Sequence, residues 1–135
     1  MLIEAAKKYP GKFGLKIAFD DRLARLIYAG SDFFLIPSRY EPCGLNQLYA
    51  MRYGTVPVVR RTGGLKDTVI DFGEEGGYGI CFNNATVDDI VYSINRATEL
   101  YGDNEKLEEV RKRMMGVNSS WESSAKKYIE LYESI

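Results

Sequence analysis

Residues 37–49 read PSRYEPCGLNQLY. A carboxylate, a thiol and a glycine stand almost side by side at Glu41, Cys43 and Gly44, between an apolar run and a helical pattern. Gly44 suits a tight turn and a close backbone approach. A helix starting there leaves its first N–H groups without intrahelical partners, with the positive end of the dipole behind them. The amides of Gly44, Leu45 and Asn46 therefore suit an anion. Glu41 repels that anion but can accept hydrogen bonds from hydroxyls attached to it. An anion beside a polyol describes a sugar phosphate or a nucleotide sugar. A second turn, Thr62-Gly63-Gly64-Leu65, offers a hydroxyl and two glycines. The plainer readings stay open at this level. Strand-to-helix turns use glycine for geometry alone, a lone cysteine is more often packed than reactive, and Glu41 by itself suits a solvated or capping carboxylate. Arg60 and Arg61 either meet phosphate or face water. Asp20–Asp21 and Asp88–Asp89 stand where helices start and read as caps rather than metal ligands.

These turns need elements to position them. GLKIAF (14–19), DFFLIP (32–37), VPVVR (56–60) and GYGICF (77–82) read as strands. Between them lie helical patterns. Leu23, Leu26 and Ile27 follow Asp20–Asp21 and stop at Gly30. Leu45, Leu48, Tyr49 and Arg52 share one side of a helix that Gly54 ends. A further helix starts after the Thr62 turn. The last third is helical: Thr86 can cap a helix carrying Ile90, Ile94, Ala97 and Tyr101. Asp103 starts one with Leu107, Val110 and Met114 inward. A closing helix has Trp121, Ala125, Tyr128, Ile129 and Tyr132 on one face. Alternating strands and helices predict an α/β fold, a Rossmann-like parallel sheet with helices on both faces. Such sheets bind ligands beyond the carboxyl ends of their strands, where both turns lie.

Composition narrows the function. The chain has 135 residues, 45% of them hydrophobic, a size that suits one domain. A net charge of −1 with no basic stripe argues against nucleic acid. No run is long and apolar enough for a membrane span, and two cysteines make no disulfide framework, so the chain reads as cytoplasmic. There is no histidine, which removes the commonest general base and metal ligand. No metal and no cofactor are expected.

The segment PSRYEPCGLNQLYAMRYGTVPVVRRTGGLKDTV resembles the donor-site region of the bacterial glycogen synthase and plant starch synthase family, and the similarity extends from YPGK to the closing helix. The resemblance implies a GT-B glycosyltransferase with two Rossmann-like domains facing a cleft. Such an enzyme moves glucose from ADP-glucose, or UDP-glucose, to the non-reducing end of an α-1,4-glucan, with retention. Carried onto this chain, it implies that Glu41 contacts the glucosyl ring and that Cys43 and Gly44 hold sugar hydroxyls. Leu45 and Asn46 would meet the diphosphate, Phe19 would lie near the base, and Thr62, Gly63 and Gly64 would line the same cleft. Position 49, where many related transferases carry a second glutamate, is Tyr49. The resemblance further implies that residues 1–135 form a single, N-terminally truncated donor domain, inactive alone and prone to self-association through uncovered apolar surface. A non-catalytic nucleotide-sugar-binding module and another GT-B transferase are the alternatives.

Overall fold

The computed structural model describes all 135 residues. Three parallel strands, β1 (Phe33–Ile36), β2 (Val56–Arg60) and β3 (Ile80–Phe82), form one sheet in the order β1-β2-β3. The register pairs Ile36 with Val59 and Leu35 with Val58; Val58 and Val59 in turn pair with Ile80 and Cys81. The helices are α1 (Leu2–Lys8), α2 (Asp21–Gly30), α3 (Asn46–Arg52), α4 (Gly63–Thr68), α5 (Val87–Gly102), α6 (Asn104–Met115) and α7 (Trp121–Glu133).

Side chains alternate across each strand, so the sheet feeds two cores. On one face Ile36, Val59 and Cys81 meet Met51 of α3, Leu65 of α4, and Leu107, Val110 and Met114 of α6. On the other, Val58, Ile80 and Phe82 meet Ala97 of α5. The α/β architecture with helices on both faces is thus present. β2, buried on both faces, reads in sequence as an unbroken apolar run for that reason.

Several elements start as their residues dictate. The Asp20 carboxylate accepts from the Leu23 amide at 2.9 Å, capping α2. Asp89 accepts from the Asn84 amide at 2.8 Å, while Thr86 caps α5 through the Asp89 amide. Asp103 accepts from the Lys106 amide and caps α6. Gly54, at φ +83°, follows the end of α3 in the left-handed region.

One expectation is corrected, and the structure fixes which face of each helix is buried. Residues 14–19 form no strand: Ile17 and Phe19 are exposed, and no stretch of the chain pairs with the outer edge of β1. An apolar run without a neighbouring strand has no partners for its backbone and stays irregular. In α3 the buried residues are Gln47, Ala50 and Met51, whereas Tyr49 and Arg52 are exposed. In α5 the buried residues are Ser93, Ala97 and Leu100, whereas Ile94 and Tyr101 line an open groove with Phe33, Leu35 and Val58. In α2 the buried residue is Tyr28, and Leu26 and Ile27 lie at the surface. α7 buries nothing and presents Trp121, Tyr128, Ile129 and Tyr132 to solvent. These apolar faces are only partly covered: Tyr49 and Tyr101 each touch one neighbouring aromatic ring, and α7 buries no residue. α1, which the sequence reading did not assign, likewise buries no residue.

Candidate functional site

All three strands run the same way, so the loops that follow them gather at one end of the sheet. The loop after β1 carries Glu41, Cys43 and Gly44 into α3; the loop after β2 carries Thr62 into α4. The two are packed together. The Gly64 amide donates to the carbonyls of Glu41 and Pro42, each at 3.2 Å. A β-carbon on Gly63 would stand 1.9 Å from the Glu41 carbonyl oxygen, and one on Gly64 would stand 2.0 Å from that of Cys43. What these two glycines admit is therefore the backbone of residues 41–43, and the Gly64 amide is already occupied by the chain itself.

Arg60, the last residue of β2, ties the loops further. Its guanidinium donates to the Ser38 carbonyl at 2.8 Å, to the Arg39 carbonyl, and to the Asn83 carbonyl at 3.3 Å. One side chain thus braces the loops after β1 and β3. Arg61 pairs with Glu74. Neither arginine is left simply facing water.

Within this frame the amides of Gly44, Leu45 and Asn46 donate to no acceptor in the chain. Leu45, at the N-cap, supplies no side-chain cap either. Gly44 sits at φ +75°, a conformation that disfavours any β-carbon. A β-carbon there would also strike the Gln47 amide oxygen at 2.5 Å, on the helix side of the turn. Glu41 is half-buried, and one of its oxygens accepts from the Ser38 hydroxyl at 3.1 Å. Cys43 is a free, exposed thiol. The Thr62 hydroxyl and the Gly63 amide have no partner within the chain.

A three-amide turn beside a braced carboxylate, at the carboxyl ends of a parallel sheet, suits a ligand with adjacent anionic and hydroxyl groups. Residues 12–114 match the family model described as glycosyl transferases group 1. This chain belongs to that family.

Glycogen synthases are among its curated relatives. The chain is 55% identical over 134 residues to the glycogen synthase of Flavobacterium johnsoniae, covering 99% of this chain and 28% of that protein. It is 48% identical over 134 residues to the glycogen synthase of Alkaliphilus metalliredigens, again covering 28% of it. The catalytic domain of starch synthase IV from Arabidopsis thaliana, solved bound to ADP and acarbose, superimposes with a TM-score of 0.87 at 40% identity, over 98% of this chain and 28% of that one. Sucrose-phosphate synthase from Thermosynechococcus elongatus, at 22% identity and a TM-score of 0.67, shares the fold. The chain spans little more than a quarter of the length of the relatives it matches.

In this group 1 glycosyltransferase chain, an open cleft of about 590 Å³ adjoins the amide turn. Phe19, Asp20, Tyr28, Leu45, Asn46 and Tyr49 are among its walls. It brings Phe19, fully exposed at its rim, together with Leu45 and Asn46. Tyr28 donates from its hydroxyl to the Asn46 side-chain oxygen at 3.1 Å and packs against Phe34, Tyr49 and Tyr53. Tyr28 and Arg60 were not assigned these roles from sequence. For Arg60 the available signal is its place as the terminal residue of a buried strand, where a long donor reaches the neighbouring loops. Tyr28 carries no comparable signal, since its partner lies eighteen residues away.

A buried ion pair supports the opposite side of β3. Arg96 makes a forked contact with Asp71, at 2.6 and 2.8 Å, and its guanidinium lies 4.6 Å from the centre of the Phe72 ring. Asp71 also accepts from the amides of Cys81 at 2.7 Å and Gly73 at 2.9 Å. Burial alone would push this carboxyl up; Arg96 and the two amides outweigh it and hold it below its ordinary value.

Proposed function

We propose that this chain is the donor-binding part of a longer, retaining glucosyltransferase of glycogen or starch synthesis, a cytoplasmic enzyme. It transfers glucose from ADP-glucose, or UDP-glucose, to the non-reducing end of an α-1,4-glucan. The observation that carries this reading is the Gly44–Asn46 turn, whose three amides have no partner in the chain, beside the Glu41 carboxylate. The glycogen synthases at up to 55% identity and the ADP-bound starch synthase supply the substrate class.

Each group then has a task. As the glycosidic bond breaks, the leaving nucleoside diphosphate gains negative charge, and preorganised amides at Leu45 and Asn46 stabilise it at the helix start. The backbone at Cys43 and Gly44 holds sugar hydroxyls. Glu41, held by Ser38, accepts from hydroxyls of the hexose and stabilises the positive charge that develops on its ring. Thr62 and Gly63, with partnerless hydroxyl and amide, complete the donor site from the loop after β2, Gly64 fixes the spacing of the loops, and Phe19 covers the base. With Tyr49 eight residues after Glu41, no second carboxylate occupies that position, which supports same-face attack with the departing phosphate taking the acceptor's proton. The acceptor glucan and the remaining phosphate contacts belong to the rest of the enzyme. The uncovered apolar face of α7 and the groove between β1 and α5 make the isolated segment self-associate, a property that sedimentation over a concentration series checks.

The test is glucan elongation with labelled ADP-glucose and glycogen. The full-length enzyme transfers glucose, its Glu41→Gln variant loses most of the rate, and the 135-residue segment alone transfers none. Wild-type turnover by the Glu41→Gln enzyme removes Glu41 from the mechanism; elongation by the segment alone removes the need for a second domain.

A further inference from the structure

Gln47 is fully buried in the first turn of α3, and it is tied to both loops of the site. Its side-chain nitrogen shares its two hydrogens among three acceptors: the carbonyls of Gly44 at 2.9 Å and Cys43 at 3.2 Å, and the Thr68 hydroxyl at 3.1 Å. Thr68 in turn donates to the Gly64 carbonyl. The side-chain oxygen of Gln47 has no partner at all. The amide orientation follows from its surroundings: reversed, the oxygen would face two carbonyl oxygens.

In a trans peptide unit the C=O and the N–H point in opposite directions, and this chain has no cis peptide bond. The carbonyl of Cys43 shares a peptide unit with the amide of Gly44, and the carbonyl of Gly44 shares one with the amide of Leu45. Drawing both carbonyls toward the Gln47 nitrogen therefore turns both amides away from it, to the side where Cys43 and Leu45 are exposed. We infer that Gln47 is a positioning residue that aims the Gly44 and Leu45 amides at the donor diphosphate.

The unpartnered oxygen sharpens the argument. A buried acceptor without a donor is unfavourable, so what holds the Gln47 amide in place is the set of bonds its nitrogen makes to the turn. The contact also explains Gly44, since a β-carbon there would collide with that oxygen. This inference rests on the proposed donor site, and its test separates the two.

The experiment uses the full-length synthase and titrates ADP and adenosine separately by calorimetry. Gln47→Met keeps the length and removes the donor. Its ADP affinity falls about ten- to a hundredfold, the range expected when charge-assisted hydrogen bonds lose alignment, while adenosine affinity is unchanged. Gln47→Glu adds a second readout. A carboxyl buried against two carbonyls is protonated more readily than a free one, and only its protonated form donates. The ADP affinity of Gln47→Glu, taken relative to wild type at each pH, therefore recovers as the pH falls from roughly 8 to 5. If Gln47→Met fails to fold, this profile carries the test. Wild-type ADP affinity in Gln47→Met, equal weakening of ADP and adenosine, or a pH-independent Gln47→Glu overturns the inference while leaving the donor site standing. Absence of ADP binding by the wild-type enzyme overturns both.

Discussion

Gly64→Ala tests whether the loops after β1 and β2 work as one body. The new β-carbon would stand 2.0 Å from the Cys43 carbonyl oxygen and 2.6 Å from the carbon that bears it. Both are backbone atoms, so no side chain can swing aside. Reaching even the shortest contact that real β-carbons make requires the loops to separate by about 1 Å. Overpacking of this kind costs about 1–3 kcal/mol, and weakening the Gly64 amide's bonds to Glu41 and Pro42 adds about 1 kcal/mol. For a domain of this size that lowers the melting temperature by about 10 °C. Displacing Glu41 and the amide turn by about 1 Å lowers kcat/KM for ADP-glucose by about a hundredfold. Gly102→Ala is the control, because its β-carbon meets nothing and its backbone is helical. It leaves kinetics unchanged and raises stability by about 0.5 kcal/mol. Thermal melts and donor-saturation kinetics on the two variants of the full-length enzyme decide the matter. A Gly64→Ala enzyme with wild-type melting and kcat/KM refutes the claim that the loops are coupled.

Arg96→Met strands Asp71, whose side chain is only 9% exposed, and destabilises the fold by about 3–5 kcal/mol in chemical denaturation. Because Asp71 is held below its ordinary value when folded, its contribution is fully present above the usual carboxylate range. That contribution disappears as the pH falls through the folded value. The stability gap between wild type and Asp71→Asn therefore closes in acid below about pH 4. Thiol labelling distinguishes the two cysteines. Exposed Cys43 reacts in the native protein, whereas Cys81 is buried with its thiol pushed up to about 12 and reacts only on unfolding. Rapid modification of Cys81 in the native state contradicts the packing of β3.

How much of this was legible in the sequence follows from which interactions are local. β2 was readable to the residue, because a strand covered on both faces leaves an unbroken apolar run. The caps Asp20, Thr86 and Asp103 were readable because a cap acts within three residues. The inward residues of α6 were readable because another element of the same chain covers them. Apolar periodicity alone does not mark the buried face of α3 or α5. Tyr49, Ile94 and Tyr101 carry the apolar pattern of a core yet line open clefts, while polar Gln47 and Ser93 lie inside. At the site, the sequence located the amide turn but not what holds it. Gln47, Arg60 and Gly64 act through backbone carbonyls, which every residue possesses, so no residue pattern marks their partners.

The central claim is that unpaired amides at Gly44, Leu45 and Asn46 receive the donor diphosphate while Glu41 receives the hexose. A crystal structure of the full-length enzyme with ADP-glucose tests it directly. The account predicts phosphate oxygens at about 2.7–3.1 Å from those amides and hexose hydroxyls on the Glu41 carboxylate. A diphosphate seated elsewhere, with those amides facing only solvent, contradicts it.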